Sequence, residues 1–194
     1  MGKLFCLIGK SASGKDAIFR YLRDNKELGL KEIVPYTTRP MRKGEENGVG
    51  YYFVDQAAYE KMCQNGKVIE SRTYEPINGP WHYSTVDDGK IRLDRDNAIL
   101  IGTLEVYNQM KRYFGEEQVV PLYIEVEDGL RLERALARER MQDVPNYAEL
   151  CRRYLADRQD FSEEKIAEAG ILKRYENIDF DACCREIVRT VKIF

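Results

Sequence analysis

Leu4-Phe5-Cys6-Leu7-Ile8-Gly9-Lys10-Ser11-Ala12-Ser13-Gly14-Lys15-Asp16 is the stretch that decides the fold. Its first five residues are a solid apolar run ending at a glycine, the pattern of a strand buried on both faces. Gly9 to Lys15 reads GxxxxGK. From Gly14 to Asn25 the spacing is helical, with Ile18, Tyr21 and Leu22 expected on one face. In such a strand–loop–helix unit the glycines let backbone N–H groups curl around a phosphate. The helix N-terminus adds partial positive charge, and Lys15 bridges the outer phosphates. The expected ATP-binding set is therefore Gly9, Lys10, Ser11, Ala12, Ser13, Gly14, Lys15 and Asp16. Position eight of this motif usually carries a hydroxyl that ligates Mg²⁺. Asp16 stands there, and a carboxylate is a hard oxygen ligand, so Asp16 is the expected Mg²⁺ ligand.

Outward from this unit, Glu32 to Val34, Asn97 to Ile101 and Val119 to Val126 read as further buried strands. Thr103 to Phe114 and Asp128 to Met141 read as helices. Strand–helix alternation of this kind predicts an α/β fold with an open, mostly parallel sheet flanked by helices, of the P-loop NTPase type. Residues 37–89 interrupt it with glycines, prolines and tyrosines around the strand-like pieces Tyr51 to Val54 and Lys67 to Tyr74, and suit a small β-rich insertion. Arginines at 131, 134, 138, 140, 152, 153 and 158 mark a charge-dense helical region. It reads either as a mobile lid or as a solvated helix pair laced with i,i+4 ion pairs. The expected division is one domain over 1–194: core at 1–36, 90–126 and 170–194, the insertion at 37–89 and the lid at 127–169.

The 194 residues carry 31 Lys+Arg against 33 Asp+Glu, a net charge of −2. That balance gives no support to a nucleic-acid or membrane-surface binder. Five cysteines without framework spacing and a single histidine, His82, argue against a disulfide scaffold and a zinc site. No apolar run approaches a membrane span. The expectation is a reduced, cytoplasmic protein, monomeric or homodimeric.

The second informative segment is Thr37-Thr38-Arg39-Pro40-Met41-Arg42-Lys43-Gly44-Glu45-Glu46-Asn47-Gly48-Val49-Gly50-Tyr51-Tyr52-Phe53-Val54. Guanidinium forks and phenolic hydroxyls are the equipment for gripping a phosphate monoester, although a solvated loop has the same composition. With the glycine loop upstream, this pattern resembles that of guanylate kinases. The resemblance implies a core that binds ATP·Mg²⁺, an inserted subdomain that binds GMP and an arginine-bearing lid. It implies acceptor-phosphate roles for Arg39, Arg42, Tyr51 and Tyr83, and assigns the guanine edge to Glu70 and Thr85. Without the resemblance, Glu70 is equally a surface residue at a strand end. In the lid the resemblance points to Arg134, Arg138 and Arg153, with Lys15, as the catalytic set, Arg152 competing with Arg153. It places Asn177 beside the adenine and Thr103 on the acceptor side.

Two departures matter. Both aspartates that guanylate kinases carry before the Thr103 helix are missing, since the chain reads Leu100-Ile101-Gly102-Thr103, and Pro35 replaces a serine of the acceptor pocket. The implied reaction is ATP + GMP ⇌ ADP + GDP. The alternatives are a related kinase with another phosphorylated acceptor, or a binding module without turnover.

Overall fold

The computed structural model describes residues 1–74 and 80–194. At its centre is β1 (Leu4–Ile8), buried along its whole length. β2 (Lys31–Glu32), β7 (Ala98–Gly102), β8 (Val119–Glu125) and β9 (Arg174–Glu176) complete a five-stranded sheet in the order β2-β7-β1-β8-β9. Every pairing in it is parallel. Alternation along β1 divides the core in two. Leu4, Cys6 and Ile8 pack against α3 (Leu104–Phe114) and α6 (Glu163–Glu168). Phe5 and Leu7 meet α1 (Lys15–Asp24) and α7 (Phe180–Val191), where the buried Cys183 and Cys184 lie. All five cysteines are free.

The insertion builds a second sheet from β3 (Tyr36–Thr37), β4 (Tyr52–Phe53), β5 (Val68–Tyr74) and β6 (Trp81–Val86), in the order β4-β3-β6-β5. α4 (Asp128–Arg140) and α5 (Tyr147–Asp160) form the arginine-rich helical pair. No helix of the described residues is long and apolar enough to cross a membrane.

Three sequence expectations need correction. The second strand lies at Lys31–Glu32 rather than 32–34. Ile33 still donates to the Ile99 carbonyl, but Pro35 has no N–H with which to extend a ladder. On α1 the apolar stripe is Ile18, Phe19 and Leu22, while Tyr21 stays 42% exposed. The insertion also contains α2 (Gln56–Gln64), capped by Asp55, whose carboxylate accepts from the Ala58 N–H at 2.7 Å. An N-cap carboxylate ahead of Gln56-Ala57-Ala58 is a helix start, outweighed in the sequence by the surrounding glycines and tyrosines. Residues 75–79 of the expected insertion at 37–89 lie outside the described residues.

Leu7 is fully buried on the central strand. Leu7→Ala is expected to cost about 2–5 kcal/mol, a fall in Tm of roughly 4–20 °C by calorimetry.

Candidate functional site

In a parallel sheet the loops that follow the strands collect at one edge, the usual place for a ligand. Here Gly9–Gly14 follows β1, Thr103 follows β7, Glu127 and Asp128 follow β8, and Asn177 follows β9. Gly14 takes φ +85° and caps α1 with no side-chain hydrogen bond, so the first-turn N–H groups stay available to an anion. A Cβ on Gly14 would stand 2.3 Å from Asn177 Nδ2, which excludes any larger residue there.

The loop is held by its carbonyls. Asn177, buried, donates from Nδ2 to the Ser13 carbonyl at 2.8 Å. Arg131, 2% exposed, donates to the Ser11 carbonyl at 2.8 Å. The same guanidinium reaches Asp128 Oδ1 at 2.8 Å and Asp157 Oδ2 at 3.3 Å, and lies over the Tyr154 ring. Asp157 in turn accepts from the Ser11 N–H at 2.8 Å, and Lys10 reaches Asp128 at 3.2 Å. Ser13 Oγ is buried and finds no hydrogen-bond partner among the described residues. Arg131, Asp128 and Asp157 were missed from the sequence. The three-residue spacing of Asp128 and Arg131 was a visible signal, but nothing local links either to Asp157.

Lys15 lies beneath these helices. Burial, with the charges of Arg153 and Arg138 nearby, pushes its ammonium pKa down against the opposing pull of Asp16 and Asp157. Its Nζ stands 3.4 Å from the Lys10 carbonyl. Arg138 and Arg153 line one small cavity with Ser11 and Asp157. Arg134, one turn earlier, points elsewhere and donates to the Asn177 carbonyl at 3.0 Å. Both competing arginines pair with Glu149, Arg152 at 2.7 Å and Arg153 at 3.6 Å, but Arg153 is the one that lines this cavity and whose charge acts on Lys15. The helical pair is thus neither wholly solvated nor held by surface pairs alone, because Arg131 is buried in it.

The second sheet has two chemically distinct faces. On one, Tyr59 of α2 bonds Ser71 and stacks on His82 at 4.3 Å, so the single histidine has a structural place. On the other, Glu70 lies opposite Thr85 and Arg72 opposite Tyr83. Glu70 is buried and accepts from Thr85 Oγ1 at 2.9 Å through Oε1. Burial pushes its carboxyl pKa up, with Arg72 and the Thr85 hydrogen bonds opposing. Glu70, Thr85, Tyr51, Pro35 and Asp16 line one cavity of about 340 Å³, within the size range of small-molecule sites.

Near the arginine and tyrosine segment, Tyr51 and Tyr83 meet edge to face at 5.6 Å, and Arg39 lies over Tyr51. Arg39 is buried and forks onto Glu45 at 2.7 and 3.0 Å, while the Arg42 N–H donates to the same carboxylate. The Arg39 hydrogen bonds, then that N–H, hold the Glu45 carboxyl down at about 2. Glu45 therefore sits on Arg39 as a phosphate would. Thr103 is not in the Glu70 cavity. Its hydroxyl caps α3 at the Val106 N–H, and it lines an adjoining open cleft with Arg72, Glu105 and Arg112. Among the described residues no three His, Cys, Asp or Glu side chains cluster to hold a metal. Asp16 is exposed on the first turn of α1 beside Lys15.

Two stability outcomes follow from these buried charges. Arg131→Met should cost about 3–5 kcal/mol by denaturant titration, because it removes the buried cation shared by Asp128 and Asp157 and the donor to the Ser11 carbonyl. Arg152→Met, on an exposed pair, should stay within about 0.5 kcal/mol by the same denaturant titration. Glu70 has the opposite sign. A carboxyl whose folded-state pKa stands above its unfolded value costs stability once pH rises past the unfolded value, and costs nothing in acid. Glu70→Gln should therefore match or exceed the parent Tm at pH 8 and lose that advantage below pH 4. A variant less stable at pH 8 would contradict the buried, under-partnered carboxylate.

The family model described as guanylate kinase matches residues 1–86. A guanylate kinase of Chromohalobacter salexigens is 39% identical over 79 residues, 40% of this chain and 36% of that protein. One from Fusobacterium nucleatum is 26% identical over 122 residues, covering 62% of this chain and 63% of that protein. The chain thus spans only about a third of the length of the first of these relatives. The crystal structure of guanylate kinase from Anaplasma phagocytophilum superposes with a TM-score of 0.67 at 19% identity, over 99% of this chain and 85% of that one. Residues 1–86 carry the guanylate kinase sequence signature, and the chain as a whole has the guanylate kinase fold.

Proposed function

We propose that this protein transfers the γ-phosphoryl group of ATP to GMP, giving ADP and GDP. The observation that carries the reading is the 340 Å³ cavity, whose lining brings the buried Glu70–Thr85 pair together with Tyr51 and with Asp16 of the first turn of α1. Glu70 Oε2 is buried without a hydrogen-bond partner among the described residues. A buried carboxylate oxygen that lacks a hydrogen bond calls for a donor, and guanine offers two, at N1 and N2. A base that offers none in that place leaves the oxygen stranded, which is the strong form of discrimination.

Beyond Tyr51, which lines the cavity, Arg39, Arg42 and Tyr83 join it in holding the acceptor phosphate, with Arg39 exchanging Glu45 for it. The loop N–H groups and Lys15 receive the donor phosphates, and Arg138 and Arg153 supply positive charge from above. An oxygen of the GMP phosphate attacks the γ-phosphorus in line as the bond to the ADP oxygen breaks. No side-chain nucleophile is needed, because such transfer asks mainly for positioning and charge stabilisation. The helical pair over the loop limits water at the γ-phosphate. Arg134 and Asn177 support the loop from the side.

Mg²⁺ fits this donor set. It is commonly held by one or two carboxylates together with substrate phosphates and water, and Asp16 is an exposed carboxylate placed for that role. When bound, the ion would neutralise charge on the β- and γ-phosphates. The reading includes a cytoplasmic protein that acts on small nucleotides.

The test is a coupled assay with ATP and Mg²⁺ offered GMP, dGMP, AMP, CMP or UMP. GMP-dependent ADP release that falls at least about 100-fold in Lys15→Ala is expected. Turnover with another acceptor alone, which Pro35 in the cavity leaves open, would move the assignment to a different kinase. Binding without turnover would mark a non-catalytic module. Asp16→Ala should abolish the Mg²⁺-dependent rate, and an unaffected rate would remove Asp16 from the metal site.

A further inference from the structure

β5 sends Glu70 and Arg72 to the same face, and both line the 340 Å³ cavity. The Glu70 Oε2 and Arg72 Nε atoms stand 3.5 Å apart, yet neither has a hydrogen-bond partner among the described residues. They attract as charges without being aimed at each other. Each keeps a free valence, an acceptor beside a donor.

Thr85 lies opposite Glu70 and is the other polar group at this end of the cavity. Its hydroxyl proton is committed to Glu70 Oε1, so toward a ligand Thr85 can only accept. Pro35, also in the lining, has no donor. A ligand edge that matches this wall presents a donor beside an acceptor. Guanine does so, with N1–H next to O6. Adenine reverses both, with a lone pair at N1 and an amino group at C6, so it meets Glu70 and Arg72 with like against like.

Building on the GMP reading, we propose that Arg72 is a specificity-determining residue whose guanidinium donates to O6 of the acceptor base while Glu70 accepts from N1–H and N2–H. Arginine against the O6 side of guanine is a favourable pairing in nucleic-acid recognition, for the same reason of charge and reach. Arg72 and Tyr51 both line this cavity, and the Arg72 charge lies near enough to favour the Tyr51 phenolate.

The rival role for Arg72 is that of a counter-ion that keeps Glu70 ionised. The charged groups facing Glu70 are Arg72, which favours the carboxylate, and Glu105, which opposes it. The two roles separate in one set of measurements. GMP and 6-thioguanosine monophosphate, in which sulfur replaces O6 as a weaker acceptor, are compared on the parent protein, Arg72→Met, Arg72→Lys and Glu70→Gln. Affinity is read by calorimetry and kcat/KM by coupled assay, from pH 6 to 9, with Tm as the check on folding.

Donation to O6 predicts that Arg72→Met loses roughly 10- to 100-fold in GMP affinity and kcat/KM across the whole pH range. The sulfur substitution should then be costly in the parent and nearly neutral in the variant. Arg72→Lys, which keeps charge but not reach, should fall between and stands in if the methionine variant does not fold. A loss that disappears as pH rises, with an equal sulfur penalty in parent and variant, would show a counter-ion and overturn the proposal. A parent protein that uses GMP while Arg72→Met equals it at every pH overturns the Arg72 role and leaves the GMP reading standing. A parent that neither binds nor phosphorylates GMP overturns both.

Discussion

A parallel sheet buried on both faces has one edge at which its loops can meet a ligand, and this molecule places nearly all its polar chemistry there. β1 is the central strand, between β7 and β8 with β9 next beyond β8, so the loop after it opens on the side where β8 and β9 end. That neighbourhood lets Arg131 and Asn177 reach the Ser11 and Ser13 carbonyls. Carbonyl oxygens repel phosphate, and here side-chain donors hold them back while the N–H groups at the start of α1 keep their free side. One loop donor, the Ser11 N–H, is held by Asp157 of α5, which ties the helical pair to the loop through the same network.

The second sheet solves a different problem with the same economy of faces. Its back is occupied by α2 through Tyr59, Ser71 and His82. Its front is left to Glu70, Arg72, Tyr83 and Thr85, so the hairpin register fixes the order of groups along the cavity. Burying Glu70 beside a hydroxyl and an imperfectly aimed guanidinium costs stability at neutral pH, the expected mark of a site built for a partner outside the chain. The net charge of −2 conceals this arrangement. Buried Arg131 and Arg39 are each matched by carboxylates, whereas Arg138, Arg153 and Lys15 gather over the glycine loop.

Much of this was legible in the residues. Leu4 to Lys15 stated the central strand and its loop, because a solid apolar run, a GxxxxGK spacing and an amphipathic helix are all local patterns. Thr37 to Val54 likewise stated the arginine and tyrosine end. What could not be read is what depends on chain distant in sequence. Arg131 looked like one more arginine of a charged helix until Asp157, 26 residues on, and the Ser11 carbonyl, 120 residues back, closed around it. Glu45 was visible in the same segment as Arg39, but their fork needs the loop to fold back on itself. Thr103 and Asn177 lie at the expected strand ends, yet their side chains serve a helix cap and a loop carbonyl. Position was readable, while hydrogen-bond allegiance was not.

The account turns on Glu70 meeting a guanine edge. The most direct measurement is a crystal structure of the protein grown with GMP. It should place N1 and N2 of the base within about 3 Å of the Glu70 carboxylate. The phosphate should lie on Arg39, with Glu45 released from it. A base bound away from Glu70, or a phosphate that leaves the Arg39–Glu45 fork intact, would contradict it.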